Sequence, residues 1–493
     1  MVRDMIIAAL FGTSIYADAF FIAFRPFDLV RKLFSEGMLS ASFIPVFSKT
    51  MKQEGMPGAA AMVASFFGIL SFVAVVVVLA GLLFAPLIIQ WIAPGFPKGS
   101  DLYHLTIVLF QLMLPYFWFV LIAALSMGVL NAMGWFAAPG VAPVLFNLVM
   151  IGVMLVVSRF FQVPVMAAAL GVTVGGIVQL AVQCRFLIHS GIVKPAAFTI
   201  CHARTLSVLQ RLIPCMIGTA SYQVNIMVVS FFASNLTEGS ISFLYYADRL
   251  VHFPLALFAV SVATVFLPDL SEKAAERDFS AIGRIFSNGV TMVFFITMPA
   301  MAGLMALDVH IVSLLFGQGA FDDIAVQQTA QCLFFLVAGL WAFAGVRLFV
   351  TLYHALSSIW IPFWSGIAGI GVNLVLCSFL IGPAGLNGMV MSVCLSSVIN
   401  FMILLICLPA AVCIEKKRLF VSACRSLFFS AILFAFIKGG MATFSADLDG
   451  KLISGAIVGV SIFLGILLYF GLNMLCNTPE IKLLKKGLLE RDA

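Results

Sequence analysis

Four arginines lie within long apolar stretches of the sequence: Arg3, Arg25, Arg31 and Arg249. An arginine at the centre of a bilayer costs about 2.5–3.5 kcal/mol on insertion scales, and the guanidinium does not lose its proton in proteins. Such residues therefore usually face a wet interior, where the planar fork of donors can bind two phosphate oxygens at once. The four arginines predict a cationic cavity that binds an anionic cargo.

Three carboxylates accompany these arginines: Asp18, Glu36 and Asp248. Each could pair with an arginine in one state and release it in another, which would gate the cavity. Each could equally neutralise a buried charge in every state, and the sequence leaves both readings open. Four further polar residues could line the same cavity without being singled out by their spacing: Asp28, Lys32, His252 and Arg347.

The positions of Arg25 and Arg31 constrain how they act together. They are six residues apart, so on an ideal helix their side chains point about 120° away from one another. Both can face one spot only if Pro26 bends the helix between them. Otherwise one of them pairs with an acid or extends its head to the cytoplasmic headgroups.

The composition determines the class of protein. The chain has 493 residues, of which 63% are hydrophobic and 10% charged, and its mean hydropathy is +1.15. Soluble proteins have roughly 25% charged residues, so we predict a polytopic membrane protein. Ten cysteines include no Cys-x-x-Cys pair, so neither a metal centre nor a disulfide framework is predicted, and no cofactor is expected.

Segments of about 20 apolar residues can cross the hydrocarbon core as helices. About fourteen such segments follow one another with short connections, at roughly 1–17, 19–45, 60–93, 103–132, 137–158, 163–188, 206–234, 239–269, 283–316, 328–355, 359–382, 385–413, 420–442 and 452–475. The predicted fold is therefore all-α and leaves no room for a soluble domain.

The basic residues predict the orientation. Of the 27 lysines and arginines, 17 lie in or beside the loops after even-numbered segments or in the C-terminal tail, and four lie in the loops after odd-numbered segments. The positive-inside rule places the richer loops in the cytoplasm. Both termini are therefore predicted to be cytoplasmic.

Short motifs recur along the chain at nearly one offset. Residues 221–226 positions apart match in four places: Phe43-x-Pro45 with Phe266-x-Pro268, Asn131-Ala with His354-Ala, Asn147-Leu-Val with Asn373-Leu-Val, and Val172-x-Val174 with Val393-x-Leu395. Six segments separate the copies, so both copies have the same orientation, as in transporters built from parallel repeats. We predict two pseudo-symmetric six-helix lobes, 1–200 and 201–415, followed at 416–493 by two more helices and a basic cytoplasmic tail.

Several motifs together resemble those of one family. They are Arg3-Asp4, Asp18-Ala-Phe-Phe21, Arg31-Lys32, Glu36-Gly37, Ala93-Pro-Gly-Phe96, Val172-Thr-Val-Gly-Gly176, Tyr245-Tyr-Ala-Asp-Arg249-Leu and Phe316-Gly-x-Gly-Ala-Phe-Asp322. Their order along the chain resembles that of the MurJ/MviN family of the MOP exporter superfamily. Arg3, Arg31 and Arg249 match cavity arginines of that family, and Arg25 matches a basic position. His252 departs from the pattern, since an acidic residue is common there.

The resemblance implies a lipid II flippase of peptidoglycan synthesis in the bacterial inner membrane. By alternating access it would move undecaprenyl-diphosphate carrying a disaccharide-pentapeptide from the cytoplasmic to the periplasmic leaflet. Membrane lipids and cell-wall synthesis proteins are its implied partners. Family members usually begin further upstream with one more cavity arginine, so either the start codon lies upstream of Met1, which we favour, or the first helix is short.

Three other functions stay open at this point. A flippase for another polyprenyl-diphosphate glycan would need the same arginines, whereas a cation-coupled multidrug exporter of the same superfamily should line its cavity with carboxylates and aromatic residues. A non-transporting scaffold would tolerate neutral substitutions of the arginines. No catalytic constellation or nucleotide-binding loop is present, so an enzyme is not predicted. The sequence does not identify the energy source, which could be the membrane potential, protons or sodium.

Overall fold

The computed structural model describes residues 1–35, 38–192, 205, 208, 223–358, 360–444 and 451–482. Most of these residues are helical and none of them lies in a strand, as expected where lipid leaves backbone groups no other partners. The helices are α1 (Val2–Phe11), α2 (Ile15–Ser35), α3 (Met38–Ile92), α4 (Asp101–Ala132), α5 (Ala137–Val157), α6 (Met166–His189), α7 (Gln223–Ala233), α8 (Ser240–Pro254), α9 (Ser261–Ala275), α10 (Phe279–Ala306), α11 (Asp308–Phe316), α12 (Asp323–Val337), α13 (Leu340–Ala355), α14 (Trp360–Ile406), α15 (Lys416–Phe444) and α16 (Lys451–Leu475). A π-helical turn, Leu255–Val260, joins α8 to α9.

The chain divides into two compact units, Met1–Ser242 and Phe243–Ala493. In the first unit, α4 packs against α2, α3 and α6, while α5 packs against α6. In the second unit, α10 packs against α9, α13 and α15, and α13 packs against α14. The lobe boundaries at 200 and 415 stay predictions.

Eight of the described helices are long and apolar enough to cross a membrane, and the bent pair of α12 and α13 is a ninth candidate. The multi-pass, all-α prediction is therefore confirmed, whereas the count of fourteen is not. Two of the long helices, α3 and α14, are interrupted at Gly55 and Gly385, whose φ angles are 67° and 52°. A left-handed φ suits glycine because it has no Cβ. Each of these helices therefore consists of two helical stretches.

The helix bounds repeat at the same offset as the sequence motifs. Helix α4 begins at Asp101 and ends at Ala132; 222 and 223 residues later, α12 begins at Asp323 and α13 ends at Ala355. The residues before the two starts, Ser100 and Asp322, both cap their helix by accepting a hydrogen bond from the third backbone N–H that follows. The copies differ in one respect, since α4 is continuous and its counterpart bends by 47°.

Glycines allow α6 to approach its neighbours in the first unit. A Cβ at Gly175 would lie 3.0 Å from the carbonyl oxygen of Phe146 on α5, and one at Gly176 would lie 2.5 Å from the ring of Tyr116 on α4. Side chains larger than hydrogen would therefore separate these helices. The Val-Thr-Val-Gly-Gly motif is a packing motif here.

A buried carboxylate fixes the segment that follows α16. Glu480 is 1% exposed; it accepts hydrogen bonds from Ser422 Oγ, at 2.6 Å, and from Arg425 Nη2, both on α15. The next residue, Ile481, packs with Phe295 of α10. The chain after the last apolar helix is therefore anchored to the second unit.

We expect the substitution Glu480→Gln to destabilise the protein by about 2 kcal/mol, because it leaves the Arg425 charge without its buried partner. The matched control is Glu415→Gln, which breaks the exposed 3.1 Å pair with Arg418 near the same end of α15 and should cost at most about 0.5 kcal/mol. Thermal unfolding in detergent measures both. Equal unfolding midpoints for the two variants would show that Glu480 does not anchor the segment after α16.

Candidate functional site

One turn of α2 brings Arg31, Lys32 and Asp28 together. Residues three and four positions apart lie on the same helix face, and the Arg31 Nη2 atom lies 2.6 Å from Asp28 Oδ1, while the Lys32 Nζ atom lies 3.1 Å from Asp28 Oδ2. Lys32 Nζ also lies 3.4 Å from Oε1 of Gln223, the first residue of α7. Two cations thus share one carboxylate, and the group keeps a net positive charge.

Arg3 lies buried on α1, 7% exposed, beside Asp4. Its Nη2 and Nε atoms donate to Asp4 Oδ1 at 2.6 and 3.1 Å. Arg3, Arg31 and Asp28 all act electrostatically on the hydroxyl group of Tyr116, which is fully buried on α4. The structure therefore brings the charged groups of α1 and α2 into the surroundings of one tyrosine.

Arg25 is also buried, 9% exposed, one position before Pro26 of α2. The helix continues through the proline. Arg31 has 29% of its side chain exposed, so the two arginines of this helix are in different environments. Whether one of them reaches the cytoplasmic headgroups stays a prediction.

Arg249 lies on α8 in the second unit, next to its own aromatic partner. Its Nη2 atom donates to the hydroxyl oxygen of Tyr245 at 2.9 Å, and its Cζ atom lies 4.7 Å from the centre of that ring. Four residues separate the two, so they share a face of α8. The ring combines a hydrogen-bond acceptor with a cation–π contact, which orients the guanidinium while leaving its charge uncompensated by this contact.

The motif around residue 316 positions α8. Phe316 and Phe321 lie 4.9 and 5.3 Å from the fully buried ring of Tyr246, measured between ring centres. Two residues further along α8, Asp248 is 3% exposed. Its Oδ2 atom lies 3.6 Å from Nε2 of His252.

Asp18 contacts the backbone around the start of α8. Its carboxylate accepts hydrogen bonds from the N–H groups of Gly239 and Ser242, each at 2.8 Å, and from the Ser242 hydroxyl at 2.5 Å. Unpaired N–H groups at a helix N-terminus attract negative charge. In this state Asp18 therefore holds a helix start, while its predicted pairing with an arginine stays untested.

The structure thus places the predicted residues unevenly. Charged groups of α1 and α2 lie around Tyr116, and Arg249 contacts Tyr245. Glu36 lies outside the described residues. The sequence reasoning missed Asp4, Asp28 and Tyr245 as the arginines' contacts. Helical spacing could have found the last two, because Asp28 precedes Arg31 by three residues and Tyr245 precedes Arg249 by four. No cluster of three metal-ligating side chains occurs in the described part of the chain.

The chain matches a known protein family and its curated members. A family model described as lipid II flippase MurJ matches residues 7–456, which include Arg25, Arg31 and Arg249 but not Arg3. A probable lipid II flippase MurJ of Vibrio cholerae is 32% identical over 413 residues, covering 82% of this chain and 78% of the relative. The lipid II flippase MurJ of Burkholderia cenocepacia is 29% identical over 411 residues, covering 82% and 80%.

Solved structures agree on the fold. Lipid II flippase MurJ in an inward closed conformation matches with a TM-score of 0.78 at 24% identity, over 95% of this chain and 94% of that one. An inward-facing multidrug resistance MATE transporter of the MOP superfamily matches with a TM-score of 0.66 at 13% identity, over 89% and 94%. Together with the family model and the relatives, this shows that the chain belongs to the MurJ lipid II flippase family.

Proposed function

We propose that this protein is a flippase that moves lipid II from the cytoplasmic to the periplasmic leaflet of the bacterial inner membrane by alternating access. Membership of the MurJ family carries the proposal. The cations on α1, α2 and α8 support it independently, because lipid II presents a diphosphate to the protein. The multidrug exporter alternative finds less support, since a cationic drug would be repelled by these groups.

The four arginines are the proposed ligands of the diphosphate. A guanidinium binds phosphate oxygens through two parallel N–H groups. Arg31 is suited to this, because its side chain is partly exposed. Arg249 is oriented by its contact with the hydroxyl group of Tyr245. Arg3 and Arg25 are more deeply buried and contribute chiefly to the positive potential.

The proposed orientation has both termini in the cytoplasm. It rests on the basic residues, 17 against four, in the two sets of loops. Membrane lipids surround the protein, and proteins of cell-wall synthesis are proposed as partners on the basis of the family alone.

We expect Arg31→Ala and Arg249→Ala each to lower flipping of lipid II in proteoliposomes by roughly ten- to a hundredfold, since a hydrogen bond to a charged group contributes about 1.5–3 kcal/mol. Lysine at either position should recover part of the activity, because it restores the charge without the fork. Growth of a strain depleted of its own lipid II flippase gives a second readout.

The matched control for these variants is Arg284→Ala, which removes an exposed arginine of α10 and should support normal flipping. The chain as written and an upstream-extended version should be compared in the same strain. Full activity of both alanine variants, with protein present in the membrane, would exclude Arg31 and Arg249 as cargo ligands.

For Asp18 we expect Asp18→Asn to slow flipping without preventing folding, because an amide has one acceptor oxygen where the carboxylate uses two. Ser242→Ala should slow it less, since it removes one of the three hydrogen bonds. The double variant should resemble Asp18→Asn, because the two residues act through one contact. Additive losses would show that Asp18 acts elsewhere.

A further inference from the structure

Asp28 uses both carboxylate oxygens to hold two different cations. Its Oδ1 atom lies 2.6 Å from Arg31 Nη2, and its Oδ2 atom lies 3.1 Å from Lys32 Nζ. The residue is 7% exposed, so these contacts are shielded from solvent and from screening by salt. A carboxylate in this position competes with any anion that approaches Arg31.

Asp28 occupies one of the two adjacent donors with which Arg31 can bind an anion. The Nε and Nη2 atoms of an arginine form the pair of parallel donors that grips two oxygens of a phosphate or carboxylate. Asp28 takes Nη2, whereas Nε is buried and has no hydrogen bond to the described residues. A buried donor without an acceptor is unfavourable, so a ligand that can satisfy both donors has an advantage over Asp28.

Lys32 ties the same carboxylate to a second helix. Its side chain is 12% exposed, and its ammonium group lies 3.4 Å from Gln223 Oε1 on α7. Asp28 therefore sits between an arginine that can bind an anion and a lysine that joins α2 to α7. Release of Asp28 would leave both cations to be compensated by another charge.

We propose that Asp28 is the resident counter-anion of the cargo site, which holds Arg31 and Lys32 in the empty transporter, yields them to the diphosphate of the cargo, and takes them back on release. The inference rests on the proposed function and adds a regulatory residue to it. Two cations removed from water are costly without a counter-charge, so Asp28 stabilises the empty state. By competing with the cargo it also limits affinity, and a transporter must release what it binds.

The ligand chemistry is a diphosphate, which could come from the lipid or from free pyrophosphate. In the lipid case, undecaprenyl diphosphate binds and millimolar inorganic pyrophosphate displaces it poorly, since the polyprenyl chain adds apolar contact. Undecaprenol, which has the chain without the charge, is the reference ligand.

The test measures binding of undecaprenyl diphosphate to the full chain in nanodiscs, with wild type, Asp28→Asn and Asp28→Ser compared by microscale thermophoresis. Both variants remove the competing charge, and the serine variant gives the same answer if the asparagine variant does not fold. We expect affinity to rise about tenfold, the equivalent of one charge-assisted hydrogen bond. Flipping of lipid II at saturating cargo should slow in the same variants, because release becomes harder.

The matched control is Asp101→Asn, which removes an exposed carboxylate from the first turn of α4 and should change neither quantity. If wild type and both Asp28 variants bind undecaprenyl diphosphate with the same affinity, Asp28 is not the counter-anion, and the proposed function is unaffected. Wild type that binds undecaprenyl diphosphate no better than undecaprenol would overturn the counter-anion together with the diphosphate site on which it rests.

Discussion

A guanidinium withdrawn from water needs a counter-charge or an acceptor close by, and this requirement shapes the charged parts of the structure. Arg3 contacts Asp4, Arg31 contacts Asp28 and Arg249 contacts Tyr245, in each case on the same helix. Each contact spans at most four positions. The chain can therefore orient these groups as soon as each helix forms, before the helices pack, and tertiary structure has only to bring oriented charges into place.

The partners also differ in kind. Asp4 and Asp28 carry a negative charge, whereas Tyr245 offers a hydroxyl oxygen and the face of its ring. Arg31 and Arg249 therefore differ in these contacts although both are arginines: Arg31 donates to a carboxylate, and Arg249 donates to a phenolic hydroxyl group. A MATE transporter shares the fold at 13% identity, and a shared fold does not by itself fix the function.

Much of this could be predicted from the sequence. Apolar length and the distribution of lysine and arginine are one-dimensional properties, so the all-α, multi-pass fold and the repeat were accessible without a structure. The interruptions at Gly55 and Gly385 were not, because a left-handed φ depends on how the chain continues on either side. Nor was the role of Asp18 accessible, since its partners Gly239 and Ser242 lie more than 220 residues away in the sequence. Asp28 was within reach by spacing alone, but a helix contains many such pairs and spacing does not say which are buried.

The π-helical turn at Leu255–Val260 affects how α8, which carries Arg249, is rotated relative to α9. A wider turn accommodates an extra residue, and each residue corresponds to about 100° of rotation around a helix axis. The π-helical turn therefore changes the angle, around the helix axis, between Arg249 on α8 and Pro268 on α9. The environments differ accordingly: Tyr246 and Ala247 of α8 are fully buried, while Val265 of α9 is 64% exposed. The stretch from α8 to α9 thus has one buried half and one more exposed half. The length of the π-helical turn sets the rotation of one half relative to the other.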